Sequence, residues 1–165
     1  MANADALVIR PAVPDDVPMI RKMIHELAVY ERAAEEDHAT EEALARHLFG
    51  PTPRAEVLIA EYNGQVAAFA LFCHNFSTWE AAPGLWLEDL FVRPAYRRRG
   101  IGKAIFHRLG QIAVERGCAR FEFTVLDWNK PALDFYATLG AVGLVDWTTH
   151  RITGEALEAL ARGGE

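Results

Sequence analysis

The sequence predicts a layered α/β or α+β fold with at least one right-handed crossover, and three observations lead there. A chain of 165 residues, 51% hydrophobic and 24% charged, is of a size and composition that builds one globular domain, taken here as residues 1–165. Two apolar runs flank Asn63-Gly64, the signature of an antiparallel hairpin. From residue 85 onward, strand patterns alternate with helical ones.

In chain order, "ALVIR" (6–10) reads as a short strand. Asp15 or Asp16 caps a helix with Pro18 in its first turn, and Val17, Ile20, Ile24 and Leu27 follow helical spacing. Glu35-Glu36-Asp37 reads as a solvated loop. Thr40 caps a short helix carrying Leu44 and Leu48, which Gly50-Pro51 stops. The hairpin "EVLIAEYNGQVAAFALFC" follows, because a type I′ turn needs two positive φ angles and Asn-Gly supplies them. "HNFSTWEAAPG" reads as a polar loop and "LWLEDLFV" (85–92) as a central strand. Ile105, Leu109, Ile112 and Ala113 give the next helix one apolar face, with Gly117 as its stop. "RFEFTVL" (120–126) alternates as a strand. Asn129 caps a helix with Pro131 in its first turn and Gly140 at its end. A strand near 147–152 and a small helix over 154–162 complete the pattern.

Composition excludes several function classes. No run approaches the ~18 apolar residues of a membrane span, and no basic region followed by an apolar stretch opens the chain. A cytoplasmic protein is expected, with Cys73 and Cys118 as buried thiols. Neither cysteine has a metal-ligand neighbour, and His25, His38, His47, His74, His107 and His150 form no metal or triad spacing, so no metal is expected. A net charge of −6 argues against general nucleic-acid binding. Within that acidic chain, Arg93, Arg97, Arg98, Arg99 and Lys103 form a basic island without an acid, which fits one localised anion.

The island contains "RRRGIGK" (97–103), a glycine-spaced turn between a strand and a long helix. Such a turn exposes free backbone N–H groups at a helix N-terminus, and glycine lets an anion approach them closely. A P-loop would need a glycine where Arg97 stands and a Ser or Thr where Ala104 stands. The dinucleotide fingerprint needs a third glycine. The pattern Arg/Gln-x-x-Gly-x-Gly/Ala is met in full by Arg97, Gly100 and Gly102.

That pattern resembles the coenzyme A pyrophosphate motif of the GNAT acetyltransferases. "LWLEDLFVRPAYRRRGIG", "VLDWNKPALDFYATLGA" and "IHELAVYE" are similar to the diamine (spermidine/spermine) N-acetyltransferase branch, a likeness running from about Leu7 to the end. The resemblance implies a mixed central sheet of about 6–7 strands with helices on both faces, acetyl-CoA as cosubstrate, and a homodimer. It implies that Leu90, Phe91 and Val92 lend backbone groups to the acetyl and pantetheine portion. Arg97, Arg98, Arg99, Gly100, Ile101, Gly102 and Lys103 would surround the pyrophosphate, and Asn129, Lys130, Pro131 and Ala132 would line the coenzyme further along. Tyr30, Glu31 and Glu88 would meet the amine, and Tyr136 would be the general acid.

The residues themselves support this chemistry. An alkylammonium of pKa roughly 10.4 must lose a proton, at about 4.6 kcal/mol at pH 7. Glu88 is the candidate water-assisted base: alternation places it with Trp86, Leu90 and Val92, where partial desolvation raises a carboxyl pKa. Asp89 points the other way, as a structural or substrate-binding acid. Tyr136 shares a helical face with Ala132, Leu133 and Leu139, which anchors its ring. Neither cysteine has an evident base nearby, so acetyl transfer is expected to be direct. Tyr30, Glu31, Glu88 and Asp89, with Trp79 from the intervening loop, would form the wall for a small cationic amine, either a polyamine or a lysine-like amino acid such as thialysine. A non-catalytic acyl-CoA sensor, or an enzyme for an aminoglycoside or a protein N-terminus, are the alternatives.

Overall fold

The computed structural model describes residues 6–163, which fall into two compact units divided between Thr124 and Val125. The first holds strand β1 (Leu7–Pro11), helices α1 (Val17–Tyr30) and α2 (Glu41–Phe49), strands β2 (Glu56–Tyr62), β3 (Gln65–Ser77) and β4 (Ala82–Val92), helix α3 (Ile101–Glu115) and strand β5 (Arg120–Phe123). The five strands stand in the order β1-β2-β3-β4-β5. The first four are antiparallel, and β5 joins β4 in parallel after the α3 crossover.

Strand alternation sends opposite faces of this sheet to different helices. Val57, Ile59, Phe69 and Phe91 pack with Ile20, Met23 and Leu27 of α1 and Leu48 of α2 in one buried cluster. Leu58, Ala60, Ala68, Ala70, Leu85 and Leu87 are buried on the other face, as are Ile101, Ile105, Leu109 and Ile112 of α3. There the Phe106 ring of α3 stacks on Phe121 of β5 at 5.2 Å and meets Phe123 edge-on. Helices therefore cover both faces, as expected.

Local chemistry sets most boundaries. Asn63 and Gly64 take φ of 51° and 76°, the paired positive values of the hairpin turn. Thr40 Oγ1 accepts from Ala43 N at 3.1 Å and caps α2. Asp16 does not cap α1 with its side chain: the carboxylate accepts instead from Arg10 (2.7 and 2.9 Å) and from Val13 N (2.8 Å). Glu35-Glu36-Asp37 is not a solvated loop throughout. Its Asp37 side chain is 3% exposed and accepts from Arg21, His25 and Ala39 N, tying the α1–α2 connection to α1. Burial pushes the Asp37 carboxyl up, but the three donors outweigh it and hold it below the usual range.

The stretch expected as a polar loop is largely sheet. β3 runs on to Ser77 and β4 starts at Ala82, leaving residues 78–81 as the turn. Asn75 stands opposite Gly84 and donates to Glu122 Oε2 of β5 at 2.9 Å, while its Oδ1 is buried without a hydrogen bond. A Cβ on Gly84 would press into that oxygen. Gly84→Ala is expected to cost roughly 1–3 kcal/mol of stability in urea unfolding, with part of the loss recovered when Asn75→Ala is added.

The second unit holds α4 (Lys130–Thr138) and α5 (Gly154–Ala161). Asn129 Oδ1 accepts from Ala132 N at 3.4 Å, a Pro lies in the first turn of α4, and Gly140 closes it at φ 82°. No strand forms near 147–152, and the described sheet has five strands rather than six or seven. Val145, Trp147 and Ile152 are exposed there, with no ladder to bury alternate side chains. No helix among the described residues is long and apolar enough to cross a membrane.

Candidate active site

Between β4 and α3 the chain forms a concave turn. Arg97 is extended (φ −66°, ψ 159°), Arg98 is left-handed at φ 62°, and Gly100 is left-handed at φ 75°. Alternating left-handed residues turn successive N–H groups to one side, as in an anion-binding nest. α3 starts at the next residue, with no side-chain cap and no acid in its first turn. Its free N–H groups and dipole then face whatever anion occupies the turn. This donor set fits a diphosphate.

The side chains around the turn are unequally committed. Arg93 forms a two-pronged pair with Glu26 at 2.8 and 2.9 Å and donates to Val66 O. The Arg99 guanidinium lies 5.0 Å over the Tyr62 ring and donates to its hydroxyl at 3.3 Å. Arg97 lies 4.7 Å over the Tyr30 ring. Arg98 and Lys103 are exposed and have no ion pair or side-chain hydrogen bond among the described residues. Arg98 also bears the left-handed strain. Arg98→Gly is expected to raise stability by up to about 1 kcal/mol. It should also weaken binding of a diphosphate at this turn, by a factor that shrinks as salt screens the lost charge. Thermal unfolding and calorimetry at two salt concentrations check both.

A second feature lies within β4. Phe72 pairs with Leu87, whereas Leu71 pairs with Asp89, so Glu88 is the extra residue of a β-bulge. The bulge switches the alternation. Leu85 and Leu87 are buried on the α3 face, but Asp89 stands opposite Leu71 and joins Phe91 on the α1 face. Glu88 is exposed rather than desolvated, and its Oε2 accepts from Trp86 Nε1 at 2.8 Å. Half-buried Asp89 carries the perturbed carboxyl: burial first, then the charges of Glu88 and Glu31, push it up to about 6. Burial also raises Glu31, the residue that follows α1. The charges of Glu31, just past α1, and of Glu88 in β4 thus both act on Asp89.

Beyond Leu87, β4 continues through Leu90, Phe91 and Val92 with no partner on its β5 side among the described residues. The Val92 carbonyl is taken by Arg97 Nε at 3.0 Å, which leaves the other backbone groups on that side to a ligand. Tyr30 ends α1 beside Phe91, ring centroids 6.4 Å apart. Trp79 is not brought to the acids. It is 86% exposed in the turn of the β3–β4 hairpin, about five strand residues and roughly 17 Å beyond the bulge. In the second unit, Asn129 is buried at the head of α4, Lys130 pairs with Asp134 at 2.7 Å, and Pro131 and Ala132 occupy the first turn. Tyr136 is half-buried one turn after Ala132, its ring 5.5 Å from that of Phe135. Sequence reasoning missed Trp86 as the donor that holds Glu88. A Trp two residues before an acid on one strand is the signal that pointed to it.

Comparison with known proteins agrees with this geometry. The acetyltransferase (GNAT) family model matches residues 20–141. The chain is 37% identical to a thialysine N-epsilon-acetyltransferase of Sus scrofa, over 94% of this chain and 98% of that one. It is 33% identical to the L-ornithine N5-acetyltransferase NATA1 of Arabidopsis thaliana, over 92% and 86%. Among solved structures, an integron cassette protein of V. cholerae superposes with a TM-score of 0.79 at 25% identity, covering 95% of this chain and 98% of that one. An uncapped, nest-bearing helix start, a bulged central strand and near full-length relatives converge on one assignment: this chain belongs to the GNAT family of N-acetyltransferases, which use acetyl-CoA as acyl donor.

Proposed function

We propose that the chain acetylates a primary amine of a small cationic molecule, a lysine-like amino acid or a polyamine, by direct transfer within a ternary complex. The observation that carries this reading is the acid trio Glu31, Glu88 and Asp89, gathered by the β4 bulge and the end of α1. Three neighbouring carboxyls attract a substrate with more than one ammonium, and the relatives include a thialysine N-epsilon-acetyltransferase, an L-ornithine N5-acetyltransferase and a spermidine/spermine N(1)-acetyltransferase-like protein. The family match runs across the division at Thr124, so residues of both units fall within it.

Acetyl-CoA, when bound, supplies the activated acyl group. The turn at 97–103 holds its diphosphate through backbone N–H groups, with Arg98 and Lys103 adding charge, and the open edge at 90–92 aligns its thioester arm. The residues 129–132 line it further along. Asp89, with Glu88 relaying through water, takes the ammonium proton. A carboxyl near pKa 6 is better matched to that task than an ordinary one. The neutral amine would then take the acyl group, and Tyr136 would give its proton to the coenzyme sulfur that leaves. Cys73 is not the nucleophile in this scheme: burial and the Glu88 charge push its thiol up, away from thiolate.

Free-thiol release from acetyl-CoA is the test, with thialysine, ornithine, spermidine, an aminoglycoside and an N-terminal peptide as acceptors. Release with the first three supports the proposal. Turnover of only the aminoglycoside or peptide overturns the substrate class, and coenzyme binding without turnover of any amine points to a sensor.

A further inference from the structure

The cations between Arg93 and Lys103 do not share one task, and Arg97 is the one whose backbone and side chain serve different places. Its backbone begins the anion turn. Its side chain leaves that turn. Nε donates to Val92 O at 3.0 Å, and the guanidinium carbon lies 4.7 Å from the Tyr30 ring centroid and 5.8 Å from that of Phe91. Tyr30 is the last residue of α1, Glu31 follows it directly, and Phe91 shares a sheet face with Asp89 two residues earlier. A flat guanidinium stacked on one ring and flanking another is held by both cation–π attraction and close packing. An ammonium in the same place would have the charge without the plate.

We infer that Arg97 is a positioning residue for the amine-binding acids rather than a ligand of the coenzyme diphosphate. It holds the Tyr30 ring beside Phe91 and so fixes Glu31 near Asp89. The inference rests on the proposed reading of this site as an acetyl-CoA:amine transferase. It also gives the fold a physical link between its two ligands. Whatever orders the 97–103 backbone also steadies the Arg97 side chain, so coenzyme and amine should reinforce each other's binding.

Four variants test it: Arg97→Gln, Arg97→Lys, Tyr30→Leu and the pair Arg97→Gln/Tyr30→Leu. Amine KM, calorimetric affinity for coenzyme A, and thermal unfolding are measured for each. Each single change is expected to raise amine KM about three- to fivefold, the worth of one solvent-exposed cation–π contact, with coenzyme affinity altered less than about twofold. The double variant should be no worse than the poorer single one, in KM and in unfolding midpoint. A coenzyme affinity loss of about tenfold in Arg97→Gln at unchanged amine KM would make Arg97 an anion ligand and overturn the inference. Additive effects in the double variant would overturn it too, as would a wild-type amine KM in Arg97→Lys. If Arg97→Gln does not fold, Arg97→Lys paired with Tyr30→Leu carries the same readouts. If the wild-type chain acetylates no amine, the transferase reading fails on its own account. The unfolding midpoints then decide the link by themselves, non-additivity supporting it and additivity refuting it.

Discussion

Tyr136→Phe is expected to lower kcat about 100-fold or more, the range lost when a general acid is removed. Coenzyme A affinity should stay within about threefold, a change under 1 kcal/mol. A thiolate leaving an acyl carbon needs a proton. A phenol near pKa 10 giving it to a thiolate near 8.5 is uphill by roughly 2 kcal/mol, so the donor must be held where the proton is wanted. Tyr136 is suited to being held. It sits half-buried on α4 beside Phe135, and its carbonyl accepts from Leu139 N at 3.0 Å and Ala141 N at 3.2 Å in the closure at Gly140. The substitution removes one oxygen and leaves the ring, so packing is conserved while the proton is lost. Stopped-flow turnover with saturating amine, alongside coenzyme calorimetry, separates the outcomes. Preserved kcat with a large loss of affinity would make Tyr136 a packing residue.

The elements legible in the sequence are those written in local chemistry. Asn63-Gly64, Thr40 and Asn129 each mark a turn or cap through groups within four residues, and each stands where expected. Features that depend on a partner distant in sequence were hidden. Asn75, Ser77 and Gly84 read as loop residues, yet Asn75 and Gly84 form a cross-strand pair in which the small residue makes room for the amide. The strand looked for at 147–152 has suitable residues but no ladder. Asp16 had the right type for a helix cap, but Arg10 and the Val13 N–H claim its carboxylate.

The same division runs through the site. The anion turn was legible because glycine spacing and a following helix are local. Its three arginines looked equivalent, and only the fold separates them, by setting Tyr30 and Tyr62 beside two of the three. The bulge at Glu88 had no sequence mark. Plain alternation assigns Glu88 and Asp89 to opposite faces, and one inserted residue carries Asp89 to the α1 face beside Phe91. There burial and the charges of Glu88 and Glu31 raise the Asp89 carboxyl.

Asp89→Asn is therefore expected to stabilise the protein at neutral pH while impairing catalysis. The folded Asp89 carboxyl titrates near 6, against 3.8 for the free group. Below the lower value both folded and unfolded chains carry the proton and the group costs nothing. As pH rises towards 6, the unfolded chain releases its proton while the folded one keeps it, so stability falls; above 6 the full cost of a charged, desolvated carboxylate beside two other acids remains. That cost is about 1–3 kcal/mol, the lower end allowing for solvent screening of a half-buried group. Asparagine removes the charge at nearly constant volume. Its unfolding midpoint should exceed that of the wild type at about pH 7.5, and the gap should close below about pH 4. In kinetics the acidic limb of kcat/KM, with an apparent pKa near 6 set by Asp89, should disappear as activity falls. Glu88→Gln provides the contrast. If the limb survives Asp89→Asn and vanishes in Glu88→Gln, the proton goes to Glu88. If Asp89→Asn lowers the midpoint at neutral pH, the Asp89 charge is holding the fold together instead of being held, at a cost, for the amine.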